Sequence, residues 1–157
     1  MIKKLCWLSA ISTLVLPFLH PFGAVKQQHS TTLLPGVQWD DPRPLPLFEK
    51  ACQNCHSERT QWPLYSYLPL VSLALEKDVA EARQHMDLSH WDRYSIEQKQ
   101  DLLARIGTEV RNRRMPLSRY TLLHPEARLS DAEIQVIYTW TKAQRRALRS
   151  QSGINGE

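Results

Sequence analysis

The sequence predicts a small all-α domain of four helices. Three observations indicate this class: apolar residues recur at spacings of three and four, helix-capping signals open two of these stretches, and no segment alternates apolar and polar residues as a strand does. The 157 residues are 42% hydrophobic. That is enough for one modest core, and too little for two.

The first two helices are predicted from apolar spacing. The first begins at Leu47, buries Leu47, Phe48 and Ala51, and runs into residues 52–56. The second begins at Pro69, because proline suits the first turn of a helix, and reaches about Met86. Its predicted apolar stripe consists of Leu68, Val71, Leu75, Val79, Ala82 and Met86.

Capping signals open the other two helices. Ser95 with Gln98 predicts a capping box for the third helix, which ends near Arg114. Ser130 with Glu133 predicts the start of the last helix. The residues expected on its buried side are Val136, Ile137, Trp140, Ala143 and Ala147.

The chain divides into four parts. Residues 1–24 carry a short positive start and a long apolar stretch, which predicts an export signal or an uncleaved membrane anchor. Residues 25–46, with four prolines, are expected to form a linker. Residues 47–148 form the predicted domain, and residues 149–157 a disordered tail. An exported domain faces an oxidising compartment, periplasmic or on the outer face of the inner membrane.

The pentapeptide Cys52-Gln53-Asn54-Cys55-His56 is the main chemical signal. In a helix, residues three and four apart are neighbours, so Cys52, Cys55 and His56 share one face. Two thiols at this spacing can add to the two vinyl groups of a porphyrin, and the histidine is then placed to bind its iron. The motif therefore predicts one covalently attached haem c.

Two other interpretations of this motif are weaker. A redox dithiol usually opens a helix in a βαβ setting, and no such pattern surrounds residues 52–56. A structural zinc needs four ligands, but the only other cysteine, Cys6, lies in the predicted signal.

The sixth iron ligand is predicted to be Met115. It follows the third helix and precedes Pro116, which restricts its backbone and can present the sulfur from a loop. His90 and His124 are the alternatives, because imidazole also binds haem iron. Met86 continues the apolar stripe of the second helix and is interpreted as core.

Residues 47–141 resemble the bacterial haem-binding domain family, which is related to mono-haem cytochromes c. The matching residues are Cys52–His56, Trp62-Pro63 with Tyr65-Ser66, Asp78-Val79, Ser89 and Trp91, Met115-Pro116 with Tyr120, and Ala127–Ser130 with Trp140. Leu64, Ala82 and Leu117 depart from the family pattern. The resemblance implies a class I cytochrome c-like arrangement around one haem, with the last helix packed against the helix that carries the motif.

The predicted function is electron transfer through a His/Met-ligated iron, rather than an enzymatic activity. The alternative is a five-coordinate haem enzyme, or a gas or peroxide sensor, using a distal histidine. A redox partner protein is expected, docking on basic residues that flank Met115 or lie in the last helix: Arg111, Arg113, Arg114, Lys142, Arg145, Arg146 and Arg149. Nucleic-acid binding is not predicted, because two haem propionates would offset part of the net charge of +4.

Overall fold

The computed structural model describes residues 32–68 and 70–154. This part of the chain contains six α-helices, where four are predicted, and no strand; the all-α class is confirmed. The helices are α1 (Pro44–Ala51), α2 (Gln53–His56), α3 (Val71–His85), α4 (Ile96–Arg111), α5 (Ser118–Leu123) and α6 (Asp131–Ile154). Short 3-10 helices cover Leu64–Tyr67, Leu88–Arg93 and Pro125–Ala127.

The predicted export signal, the first part of the linker and Pro69 lie outside the described residues. Among the helices that are described, none is both long and apolar enough to cross a membrane.

Both predicted capping signals are confirmed. The Ser95 Oγ accepts a hydrogen bond from the Gln98 N–H at 3.2 Å, and the Gln98 side chain accepts one from the Ser95 N–H at 2.8 Å. Glu133 accepts from the Ser130 N–H at 2.8 Å, while its own N–H donates to the Ser130 Oγ at 3.3 Å. These pairs satisfy N–H groups that the first turns of α4 and α6 leave without helical partners.

The last helix packs against the helix that leads into the motif, as expected. The Phe48 ring of α1 meets the Trp140 ring of α6 edge-on, with centroids 5.1 Å apart. The Lys50 ammonium of α1 forms an ion pair with Glu133 at the start of α6. Because α6 also packs along α4, these three helices surround most of the core.

The predicted linker is wrong in its C-terminal part. Leu33 and Leu34 are each only 1% exposed and belong to the core. The Leu34 N–H donates to the Leu88 carbonyl at 2.8 Å, and Trp39 stacks on Trp140 with centroids 5.2 Å apart. The packed domain therefore includes residues 33–46 as well as those that follow.

Several helix boundaries differ from the predicted ones, and α4 ends at Arg111 rather than near Arg114. Helix α1 begins at Pro44, not Leu47. Proline is tolerated there because the N–H groups of a first helical turn have no acceptor within the helix, so the missing N–H costs no hydrogen bond. Cys52 interrupts the first predicted helix, with a non-helical φ of −124°. Helix α6 continues to Ile154, so the predicted disordered tail is helical over most of its length.

The predicted stripe of α3 is also corrected. Val79 is buried as expected, but Leu68 is 55% exposed and Val71 is 37% exposed. The buried residues of α3 are Ser72, Glu76 and Val79. The Ser72 hydroxyl donates to the buried Glu76 carboxylate at 2.7 Å. This hydrogen bond offsets part of the free-energy cost of burying the carboxylate.

Helices α4 and α6 approach closely at Gly107. A Cβ added at Gly107 would lie 2.8 Å from the Oγ1 of the buried Thr141. We expect Gly107→Ala to lower the free energy of unfolding by about 1–2 kcal/mol in a urea titration, because overpacking outweighs the better helix propensity of alanine. Combining it with Thr141→Ala should recover part of the loss. If Gly107→Ala lowers the free energy of unfolding equally in the wild type and in Thr141→Ala, the predicted clash with the Thr141 hydroxyl is wrong.

The ion pair between Lys50 and Glu133 should make stability depend on pH. The Lys50 ammonium, followed by the Ser130 N–H, lowers the pKa of Glu133 from 4.5 to about 2. A lowered carboxyl pKa stabilises the fold above the unfolded value, and this stabilisation is lost as pH falls from about 4.5 towards 2. Both side chains are about one-third exposed, so the pair contributes about 0.5–1 kcal/mol.

We therefore expect Glu133→Gln to lower the free energy of unfolding at pH 7, with a difference from wild type that shrinks below pH 4.5. Glu97→Gln is the matched control, because Glu97 also lies in the first turn of a helix but forms no ion pair among the described residues. If the difference in free energy of unfolding between wild type and Glu133→Gln stays constant down to pH 2.5, the ion pair is not the source of the pH dependence.

Candidate functional site

The pentapeptide folds as a closed helical turn. The Cys52 carbonyl accepts hydrogen bonds from the Cys55 N–H at 3.3 Å and the His56 N–H at 3.0 Å. The two cysteines and the histidine therefore lie on one turn, as the i, i+3, i+4 spacing requires. Cys52 and Cys55 are partly buried, and both are free thiols.

The His56 ring is held by α3. Its Nδ1 lies 3.0 Å from the Ala82 carbonyl oxygen and 3.1 Å from the Met86 carbonyl oxygen. Because carbonyl oxygens only accept hydrogen bonds, Nδ1 carries the hydrogen and Nε2 keeps its lone pair. Burial lowers the pKa of His56, against the opposing effect of these two carbonyls, so the imidazole is neutral at pH 7. A neutral imidazole oriented through Nδ1 is ready to bind a metal through Nε2.

The two thiols are protonated at neutral pH. Burial raises the pKa of Cys52 to about 12 and that of Cys55 to about 11. Low reactivity is typical of buried thiols, whereas the nucleophile of a redox dithiol needs a lowered pKa. The site therefore lacks the electrostatics of a thiol–disulfide catalyst.

Arg83 fixes the loop that follows the motif. Its Nε donates to the Ser57 carbonyl at 2.9 Å, and its Nη2 donates to the Thr60 Oγ1 at 2.9 Å. The Thr60 hydroxyl in turn donates to the Asn54 carbonyl at 2.8 Å. The loop after His56 is thus tied both to α3 and to the motif.

Met115 lies just beyond a Schellman motif that ends α4. Arg113 has a left-handed φ of 55°, its N–H donates to the Val110 carbonyl, and the Arg114 N–H donates to the Glu109 carbonyl. This pattern stops a helix and turns the chain away. Met115 is 36% exposed. The Met115–Pro116 peptide bond is cis.

The segment after Met115 is attached to the motif and to α3. The Asn54 amide donates to the Tyr120 hydroxyl at 2.8 Å, and the Arg119 guanidinium donates to the Asp78 carboxylate at 3.0 Å. Tyr120 belongs to α5, which begins three residues after Met115. These two contacts attach α5, the helix that follows Met115, to the motif and to α3.

His124, one alternative to Met115, has both ring nitrogens engaged. Its Nε2 lies 2.5 Å from the Tyr65 hydroxyl and its Nδ1 lies 3.0 Å from a Glu126 carboxylate oxygen. The ring also stacks on Tyr120, with centroids 4.5 Å apart. An iron ligand at His124 would have to give up the Tyr65 or the Glu126 hydrogen bond.

His90, the other alternative, lies on the Nδ1 side of His56. Its Nδ1 is 2.9 Å from an Asp87 carboxylate oxygen, and Asp87 follows Met86, whose carbonyl accepts from His56 Nδ1. His90 is thus hydrogen-bonded to the residue that follows the carbonyl on which His56 Nδ1 is held. Met86 itself packs against the core, as predicted, although it is only partly buried.

Comparison with known proteins identifies the family of this chain. Residues 13–143 match the family described as haem-binding domain, which is most of the chain. The chain belongs to the haem-binding domain family. A neutral histidine beside two thiols on one turn is a donor set that fits the group this family binds.

This haem-binding domain is also similar to part of a larger protein. It is 29% identical over 102 residues to the cytochrome c peroxidase Ccp of Escherichia coli strain K12. The match covers 63% of this chain and 22% of that protein. No solved structure matches the chain.

Sequence reasoning missed the polar residues that position the site. Asn54 lies inside the pentapeptide at a position the motif leaves open, and Arg83 reads from sequence as a solvent-facing charge of α3. Tyr65 and Tyr120 stand out in the family resemblance, but nothing in the sequence indicates that they contact His124 and Asn54.

Proposed function

We propose that this haem-binding domain is an extracytoplasmic c-type cytochrome that transfers electrons through an iron ligated by His56 and Met115. The observation that carries the proposal is the state of His56. Its Nδ1 donates to two carbonyls, so the lone pair of Nε2 is available for a metal. The same turn carries two free thiols. Residues 1–24 support an exported location through their sequence alone.

Each residue has a defined role in this proposal. Cys52 and Cys55 would each form a carbon–sulfur bond to one vinyl group, with the thiol hydrogen passing to the other vinyl carbon. His56 Nε2 would bind the iron on one side and the Met115 thioether on the other. Bound haem supplies an iron that exchanges one electron. The two protein ligands leave no open position for substrate, which suits an electron carrier.

Absorption spectroscopy of the oxidised and reduced protein tests this function. His/Met ligation should give a low-spin spectrum with a methionine-to-iron charge-transfer band at the red edge, and the iron should exchange electrons reversibly with small mediators. A high-spin spectrum with rapid binding of carbon monoxide would overturn electron transfer as the function while leaving haem binding intact.

A second candidate is a five-coordinate haem enzyme or a gas or peroxide sensor. Two observations favour it: the similarity to part of a cytochrome c peroxidase, and the hydrogen-bonded chain Tyr65–His124–Glu126. Such a chain could pass a proton to or from a bound molecule. Peroxide consumption that disappears in His124→Gln, with the haem content unchanged, would select this function over electron transfer.

The proposed partner is an acidic redox protein. Arg113 is paired with Asp131, and Arg114 with Glu109, so two of the three arginines before Met115 have an acidic partner within the chain. Arg146 and Arg149 on α6 are exposed, and no ion pair joins them to an acid in the described part of the chain. The cationic surface of α6 is therefore the stronger docking candidate.

We expect Arg146→Glu with Arg149→Glu to slow electron exchange with an acidic acceptor several-fold at low salt, and to flatten the salt dependence of the rate. The matched control is Arg113→Glu with Arg114→Glu, which replaces two paired charges and should change the rate less. Equal rates and salt slopes for wild type and the α6 variant would remove α6 from the docking surface.

A further inference from the structure

One cluster of metal-binding side chains lies outside the cysteine–histidine turn. Glu58, Asp87 and His90 each place a possible ligand atom within 4.8 Å of the other two. The His90 Nδ1 is 2.9 Å from an Asp87 oxygen, and the His90 Nε2 is 3.9 Å from a Glu58 oxygen. The three side chains are only 19–23% exposed, so they are largely buried but still reach solvent.

The cluster is held in place by Ser89. The Ser89 N–H donates to an Asp87 carboxylate oxygen at 2.8 Å, and the Ser89 hydroxyl accepts from the Glu58 N–H at 2.9 Å. Ser89 is 4% exposed and lies between the buried residues Leu88 and Trp91. Two chain segments about thirty residues apart are thus fixed next to each other before any ion arrives, which reduces the cost of ordering ligands on binding.

The geometry matches a known arrangement of metal ligands. A histidine ligand commonly donates its second ring N–H to a carboxylate, which fixes the tautomer and orients the ring. Asp87 is placed to accept from His90 Nδ1 in this way, while His90 Nε2 faces Glu58. With metal–nitrogen and metal–oxygen bonds of about 2.0–2.2 Å, the two facing atoms need to approach by only about 0.5 Å.

We propose that Glu58 and His90 bind one divalent first-row transition-metal ion, for which Zn²⁺ is the probe, with Asp87 orienting the imidazole. Water fills the remaining coordination positions. The cluster has two carboxylates, and the nearby Arg83, held on Ser57 and Thr60, offsets the charge of one of them. A net negative charge remains to attract a cation. Mixed imidazole and carboxylate ligands favour zinc-like ions over Ca²⁺ and Mg²⁺, which prefer oxygen alone.

The test is a Zn²⁺ titration of the haem-loaded, tag-free protein after treatment with a chelator, using calorimetry. We expect one ion per chain. Glu58→Gln and His90→Ala should each weaken binding at least tenfold, and Asp87→Asn by about 10–100-fold, as for other carboxylates that orient a histidine ligand. His85→Ala is the matched control, because His85 is an exposed histidine on α3, and it should bind as wild type does.

Three results would overturn the proposal: no Zn²⁺ binding by the wild type at millimolar concentration, undiminished binding by both Glu58→Gln and His90→Ala, or displacement of Zn²⁺ by equimolar Ca²⁺. Far-ultraviolet circular dichroism checks that each variant is folded, and Glu58→Gln remains decisive if Asp87→Asn unfolds. If haem is not attached, Cys52 and Cys55 are alkylated before the same titration, so that Zn²⁺ cannot bind their thiols. The result then tests the Glu58–His90 site even where the proposed function fails.

Discussion

Replacing Cys52 and Cys55 together with alanine should abolish covalent haem attachment. Wild-type protein should retain haem stain after denaturing electrophoresis, and the double variant should lose it completely, because no other cysteine lies in the domain. The single variants, Cys52→Ala and Cys55→Ala, should each retain at most one thioether bond. Mass spectrometry should show the mass of one haem on the wild-type chain.

The control for this prediction is His56→Ala. It removes the proposed iron ligand but leaves both thiols, so any haem that becomes attached should remain through denaturation while its spectrum changes. Extraction with acid and organic solvent gives the contradicting outcome: if it strips the haem from wild type, the group is bound without thioether bonds. Haem binding by the family would stand in that case, but the c-type assignment would be wrong.

Replacing Met115 with alanine should open the sixth position of the iron. We expect a change from low-spin to high-spin or water-ligated iron, loss of the methionine-to-iron band, and binding of cyanide or carbon monoxide at least tenfold faster. The reduction potential should fall, because thioether ligation raises it. This result is expected from the proposed ligation of the iron by Met115, which is exposed just beyond the end of α4.

Met86→Ala is the matched control, since Met86 packs against the core and its carbonyl lies on the Nδ1 side of His56. It should lower the free energy of unfolding by about 2 kcal/mol and leave the iron spectrum unchanged. Tyr120→Phe is a second comparison, because it removes the hydrogen bond from Asn54 that holds the Met115 loop. An unchanged spectrum in Met115→Ala would turn attention to His124 as the ligand.

Much of the fold was predictable because its signals are local. A capping box needs only residues three apart, and both boxes were found at Ser95 and Ser130. The prolines of residues 25–46 favour a linker from sequence, but Pro44 is the first residue of α1 in the structure. The burial of Leu33 and Leu34 could not be predicted, because it depends on contacts with residues such as Leu88, far along the chain.

The sequence by itself predicted haem binding, which the family match confirms. A helical turn brings residues three and four apart together, so Cys52, Cys55 and His56 indicate haem attachment without any knowledge of the fold. Only the tertiary structure decided which nitrogen of His56 is free, because Ala82 and Met86 lie 26 and 30 residues away and reach Nδ1 through packing of α3. Tertiary packing likewise placed His124 against Tyr65, 59 residues away. A histidine's available lone pair depends on what its other nitrogen contacts, and for His56 that contact is made between distant segments.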